Sequence, residues 1–473
     1  GTYTASIYVK PASADVFRIR IDTPGEAGKF FVYNFTTDVK SEVNCVGLVE
    51  SVGNGWYRLS STYTAANPTV NAVFGLSAYT DGSVGDYVYL WGAQLEQSST
   101  VGEYVKTTST INSAPRFNHD PTTGESLGLL VEESRTNLLL RSEEFGDASW
   151  ESASGARSVS SNSQVAPNGI QVADTVTADG ATGFHFVSQS ATLSATPYSF
   201  SVFAKAGTNN FIQLRTFNAF GGMFANFDLS TGVVGTTGTA SGVTPTSLIQ
   251  PYLNGWFRCT MVFTPASASS SVGIYLVDSA SAPGGQSNSL STSVHFWGAQ
   301  LEAVSGPPTS YIPTEGSTVS RAADVASISG SNFSSWYRQD EGTVFAEVPQ
   351  ANFVAGRILQ FSDGTTTNRQ DLAFSNSKLL AFVNTGGSSQ VNALTDNTIT
   401  NSAKCSYGYK ADDFAWVLNG ESPKTDNTGT LPTVDRLTIG ARIDSPGHLN
   451  GTIRRLTYWP TRLGNEVLQT ITQ

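Results

Sequence analysis

Tyr89-Leu90-Trp91-Gly92-Ala93-Gln94-Leu95-Glu96 decides the fold, because the chain writes it again as His295-Phe296-Trp297-Gly298-Ala299-Gln300-Leu301-Glu302. In both copies Trp, Ala and Leu alternate with Gly, Gln and Glu, the period of a strand with one packed face. Working outward, Asn54-Gly55-Trp56-Tyr57-Arg58 is matched by Asn254-Gly255-Trp256-Phe257-Arg258. Further out, Tyr3-Thr4-Ala5-Ser6-Ile7-Tyr8-Val9-Lys10 is matched by Tyr198-Ser199-Phe200-Ser201-Val202-Phe203-Ala204-Lys205. The offsets are 195, 200 and 206 residues, so order is kept and spacing drifts only by loop-sized insertions. This is an internal duplication. Each Asn-Gly reads as a turn feeding a strand, since both residues tolerate positive φ. Trp56, Trp91, Trp256 and Trp297 sit inside the shared strand pattern and are read as core; a sugar-stacking platform is the alternative.

The second copy carries a leader. Asn137-Leu138-Leu139-Leu140, Phe145 to Trp150, Ile170 to Asp174 and Phe184 to Val187 all precede Tyr198, whereas two residues precede Tyr3. The first copy is therefore expected to lack its opening strands. One expectation is that the chain is the C-terminal part of a longer polypeptide. The alternative is that a neighbouring subunit supplies those strands, since an uncovered sheet edge invites pairing.

The segmentation that follows is a first module over 1–106, an ordered connector over 107–136, a second module over 137–324 and a distinct third domain over 325–473. The connector is too rich in large apolar residues for a Gly/Ser tether. In the third domain the alternating runs Gly342–Val348, Arg357–Phe361, Leu372–Phe374, Leu379–Val383, Cys405–Tyr409, Ala415–Leu418, Leu437–Gly440 and Gly451–Trp459 predict a sandwich or jelly roll. Leu463–Ile471 reads as a short helix with Glu466 near its start. The fold class is all-β: tandem antiparallel jelly-roll or β-sandwich domains.

Bulk composition agrees. With 473 residues, several domains are expected. Only 14% of residues are charged, and 45 glycines and 19 prolines suit many short strands joined by turns. A net charge of -11 without a basic cluster speaks against nucleic acid. No apolar run is long enough for a membrane helix, so no membrane insertion is expected. Cys45, Cys259 and Cys405 lie too far apart for a local metal knuckle or redox motif and are read as small buried hydrophobes.

Catalysis is not expected. The four histidines are scattered, with His295 standing where the first copy has Tyr89. No nucleophile elbow, phosphate loop or zinc motif occurs. Glu347 is a lone carboxylate, and glycoside hydrolysis needs two. No cofactor is expected beyond a structural calcium, for which Asp278, Asp363, Asp412, Asp413 and Asp444 lie in or beside loops without a dense cluster.

A resemblance adds to this. Trp416-Val417-Leu418-Asn419-Gly420, Leu437-Thr438-Ile439-Gly440, the strand ending at Trp459 and the closing helix resemble a laminin-G/concanavalin-A-like domain. The repeats resemble carbohydrate-binding-module jelly rolls. The connector, Pro115-Arg116-Phe117 through Leu129-Leu130-Val131-Glu132-Glu133-Ser134-Arg135-Thr136-Asn137-Leu138-Leu139, preceded by WGAQLE, resembles bacteriophage tail-fibre and virion-appendage proteins. The resemblance implies a virion structural protein at an extracellular particle surface. Its implied partners are other virion proteins, further copies of itself (a homo-oligomer, with a trimer as one form) and host-surface polysaccharide. Glycan-binding candidates in the third domain are Trp336, Tyr337, Arg369, Asn419 and Arg442. An architectural spacer without ligand and a polysaccharide depolymerase are the competing readings.

Overall fold

Alternation in the sequence becomes antiparallel pairing in the structure. The computed structural model describes residues 2–22, 25–65, 73–78, 86–102, 104, 115–150, 157–239, 244–442 and 447–473. The chain divides into two units, 1–114 and 115–473.

The first unit contains β1 (Thr2–Pro11), β2 (Val16–Asp22), β3 (Lys29–Asn34), β4 (Val39–Val43), β5 (Val46–Gly53), β6 (Trp56–Thr64), β7 (Val73–Ala78) and β8 (Val88–Glu96). They form two sheets, ordered β5-β6-β1-β8 and β4-β3-β2-β7. Ile7, Val9, Phe17, Ile19, Phe31, Tyr33 and Leu59 fill the space between them. Each such side chain stabilises the fold by about 1.5–3 kcal/mol through burial.

In the second unit the connector supplies β9 (Phe117–His119), β10 (Ser126–Val131) and β11 (Arg135–Asn137). The leader follows with β12 (Arg157–Val165), β13 (Gln171–Ala178) and β14 (Phe186–Thr192). The repeated part comprises β15 (Tyr198–Ala206), β16 (Phe211–Thr216), β17 (Phe224–Asp228), β18 (Val233–Gly238), β19 (Thr246–Pro251), β20 (Trp256–Phe263), β21 (Ser269–Leu276) and β22 (Ser293–Glu302). One sheet runs β12-β13-β22-β15-β20-β19 and the other β14-β21-β16-β17-β18. Strand for strand, β22-β15-β20-β19 repeats β8-β1-β6-β5, and β21-β16-β17-β18 repeats β7-β2-β3-β4. The leader adds two strands to one sheet and one to the other.

After β23 (Val319–Arg321) and β24 (Ala326–Ser329) comes the single turn α1 (Ser331–Ser334). Then follow β25 (Glu341–Val348), β26 (Ala355–Ser362), β27 (Arg369–Ser375), β28 (Lys378–Thr385), β29 (Ser388–Leu394) and β30 (Ala403–Lys410). The chain ends with β31 (Phe414–Leu418), β32 (Lys424–Asp426), β33 (Arg436–Ile439), β34 (Gly451–Ile453), β35 (Arg455–Trp459) and α2 (Asn465–Ile471). Sheets β24-β33-β26-β27-β28-β29 and β32-β31-β30-β25-β35 enclose a core that includes Phe361, Leu372, Tyr407 and Trp416. The chain is thus an all-β protein of antiparallel sandwiches. The helix α2 lies where the sequence predicts it and buries Leu468 with Ala415 and Val417.

Residues 107–114 of the connector lie outside the described residues; from Pro115 onward it is held by charge as well as by pairing. Strand β10 pairs with β34, and β11 with β23. Arg116 reaches Glu132 at 2.9 Å and also pairs with Asp324. Glu132, nearly buried, accepts from Ser310 Oγ at 2.6 Å and faces Arg321 at 3.3 Å. Buried ions hold only when paired in this way. All three cysteines are free. Among the described residues no helix is long and apolar enough to cross a membrane.

Candidate functional site

Two places in the molecule gather chemistry. The first is on the third domain. Strand alternation puts Arg369 and Asp371 on one face of β27, and neighbouring β26 contributes Arg357 and Gln360. The Asp371 carboxylate is buried and lies 3.3 Å from Arg369 Nε and 3.5 Å from Arg357 Nε. Its other oxygen accepts from Gln360 Nε2 at 2.7 Å. Burial pushes the Asp371 carboxyl above the usual range, opposed by Arg357, Gln360, Arg369 and Arg442. The Arg369 guanidinium also lies 4.9 Å from the ring centre of Phe382, in cation–π range. Guanidinium forks, an amide and an aromatic ring thus share one sheet face.

Of the five candidate residues, the fold brings Arg369 and Arg442 together around Asp371 and places the other three elsewhere. Trp336 and Tyr337 follow α1 and pack on the core, touching Phe333 and Tyr458. Trp336 Nε1 donates to Asn332 O at 2.7 Å, and Gln370 Nε2 donates to the Tyr337 hydroxyl at 3.2 Å. Asn419 has φ of 46°, and its side chain accepts from Lys404 N at 2.7 Å. It closes a turn. Arg357 and Asp371 were not singled out from the sequence; the signal available was Arg369-Gln370-Asp371, two opposite charges two residues apart on a strand.

The second place is an aromatic cluster present in both modules. In the first, Tyr8 meets Trp91 at 5.0 Å and Tyr104 at 6.0 Å, with Trp91–Tyr104 at 4.6 Å. In the second, Phe203 meets Trp297 at 5.2 Å and Tyr311 at 6.1 Å, with Trp297–Tyr311 at 4.7 Å. Arg58 lies over Tyr8 at 5.3 Å, and Arg258 over Phe203 at 5.2 Å. The bulge is repeated too: Gly92 and Gly298 have φ of 63° and 61°. A Cβ on either would press within 3.0 Å of the Tyr8 or Phe203 ring. Glycine is required there. In the first module a cavity of about 320 Å³ opens at this cluster, lined by Tyr8, Val52, Gly53, Asn54, Trp56 and Trp91.

Carboxylates elsewhere are engaged locally. Glu347 pairs with Arg454 at 3.2 Å. Asp278 accepts from Gln286, Asp363 from Thr365, Asp412 from Gly429 and Asp413 from Arg462. Asp444 lies outside the described residues. Among the described residues no group of three or more His, Cys, Asp or Glu is placed to hold a metal ion. His295 Nδ1 meets Thr175 Oγ1 at 2.8 Å across β13 and β22, and burial lowers its pKa.

No family model matches the chain, and no curated protein matches it in sequence. Among solved structures, domains LG4-5 of the mouse laminin alpha1 chain are similar, with TM-score 0.26 and 10% identity over 76% of this chain and 96% of that one. A Trypanosoma rangeli sialidase is similar with TM-score 0.25 and 10% identity over 98% and 92%. A xylan beta-1,4-xylosidase from Bacillus halodurans has TM-score 0.18 and 9% identity over 96% and 98%. The laminin-G part of the resemblance has counterparts here; the phage tail-fibre part is not supported. Glycoside hydrolases among the neighbours correct the expectation that the chain is not an enzyme. The physical reason is plain: a missing local motif does not exclude carboxylates brought together from distant strands. Likenesses this low assign no activity.

Proposed function

We propose that the chain is a structural and recognition protein of an extracellular particle, of the tail-fibre or spike kind, whose third domain binds an acidic host-surface polysaccharide. The observation that supports this reading is the convergence of Arg357 and Arg369 on one carboxylate beside the Phe382 ring. Planar guanidinium groups pair with carboxylate or sulfate in a fork, and a ring supplies the apolar contact that a sugar face needs. Both modules then serve as architecture that carries the third domain.

The test is calorimetric titration of the full chain with acidic and neutral polysaccharides. Arg369→Gln should weaken binding of the acidic polymers at least tenfold, about 1.4 kcal/mol, and rising salt should weaken it too. Equal binding by Arg369→Gln, or preference for neutral polymers, would refute the reading. Release of reducing ends during the titration would mark the same face as a hydrolase site.

A further inference from the structure

A carboxylate oxygen is left over at the centre of the third domain's site. Strand register lays Thr438, Gln360, Asp371, Phe382 and Asn392 in one row across β33, β26, β27, β28 and β29. Alternation turns this row away from the core, which takes Leu359, Phe361, Leu372, Ala381 and Val383 instead. Although they face outward, Gln360 and Asp371 are 0% and 1% exposed. The side chains of Arg357 and Arg369 lie against the Asp371 carboxylate.

The hydrogen bonds of this group do not close. Asp371 Oδ1 accepts from Gln360 Nε2 at 2.7 Å. Oδ2 lies 3.3 Å from Arg369 Nε and 3.5 Å from Arg357 Nε yet accepts no hydrogen bond. Arg369 Nε has no acceptor either. Among the described residues the terminal nitrogens of Arg369 donate to no protein group, and its guanidinium rests on the Phe382 ring. A buried anionic oxygen without a donor is costly to keep. An acceptor lacking a donor thus stands beside a guanidinium lacking acceptors.

Sulfate and phosphate offer acceptors alone. Either would occupy the Arg369 fork but set a second anion against Asp371 Oδ2. A carboxylated sugar ring with free hydroxyls matches both needs. Its carboxylate takes the guanidinium, a hydroxyl donates to Oδ2, and its C–H face lies on Phe382. We infer that this site selects a uronic-acid sugar, with Asp371 as the specificity-determining residue that accepts a ring hydroxyl. The inference rests on the acidic-polysaccharide reading and narrows it from any acid to this class. Arg369, untied at its tip, is the side chain that shifts to admit the hydroxyl, as side chains at binding surfaces commonly do. A site built to hydrogen-bond a hydroxyl rejects a ligand that lacks it, because its own buried group is then left unpaired.

The test is calorimetric titration of the full chain with three probes. These are an oligogalacturonate, the same oligomer with its ring hydroxyls O-acetylated, and a fully sulfated dextran of similar length. The free oligogalacturonate should bind at least tenfold more tightly than either of the others. Asp371→Asn should bring the free-to-acetylated ratio close to one, while sulfated dextran binds no more weakly than before because a negative charge has gone. Equal binding of the free and acetylated oligomers overturns the inference and leaves the acidic-polysaccharide reading standing. Tightest binding of sulfated dextran does the same. An Asp371→Asn chain that keeps its near-ultraviolet circular dichroism and the full tenfold preference also overturns it. Binding of none of the three probes overturns both readings. Should Asp371→Asn fail to fold, the acetylated oligomer decides without any variant.

Discussion

Trp91 and Trp297 occupy the same position of the same motif, with the same glycine bulge and the same arginine-capped aromatic neighbours, and one is exposed while the other is core. The comparison separates two things that a motif encodes. The strand, the bulge and the ring contacts are local and recur in both modules. Burial is not local: it depends on what lies beside the strand, which for β22 is β13 and for β8, among the described residues, is β1 alone.

Truncating the two tryptophans gives the largest contrast. Trp297→Ala should destabilise the second module by about 4 kcal/mol, as expected for a large aromatic removed from a closed core. Trp91→Ala should cost the first module only about 1 kcal/mol, since much of its surface is already in water. Native-state hydrogen exchange of β15 and β1 amides measures each, and equal losses would end the distinction.

Asn137→Ala brings the second module toward the first. It removes the side chain that closes Ala299, Leu301, Leu139 and Ile312 backbone groups. Buried groups left without partners should cost about 3 kcal/mol. Exchange at Leu301 should then approach the rate at Leu95; an unchanged rate would show that β22 is held by packing alone.

The smallest effect is one of pH. Glu143 belongs to the leader, faces Tyr311 and Trp297, and burial raises its pKa. A carboxyl raised in the folded state contributes stability that is full below its unfolded pKa and is lost as pH rises through the folded value. The second module should therefore lose a little stability from about pH 4.5 upward, and Glu143→Gln should flatten that slope. A slope that persists in the variant would assign it to other carboxyls. Asp174 is another carboxyl of the leader that burial raises.

Legibility followed range. The Asn-Gly turns appear with φ of 51° at Asn54 and 61° at Asn254, where the sequence placed them. The site was legible only in part. Arg369 and Arg442 were visible as charges in the third domain, but Arg357 joins Arg369 only because β26 and β27 pair. Trp336 and Tyr337 looked like rim aromatics, since nothing near them in sequence shows that Phe361, Tyr409 and Tyr458 come to meet the Tyr337 ring.

By itself the sequence determined the duplication, the strands, the Asn-Gly turns and the closing helix, because each rests on patterns a few residues long or on direct repetition. Only the tertiary structure decided that Arg116 and Glu132 lock to Asp324 about two hundred residues away. It alone decided that Ala166, Val172 and Ala173 pack on Trp297 while Trp91, at the same place in the motif, is exposed. Burial and ion pairing are set by what lies across a sheet, and that neighbour is chosen by the path of the whole chain.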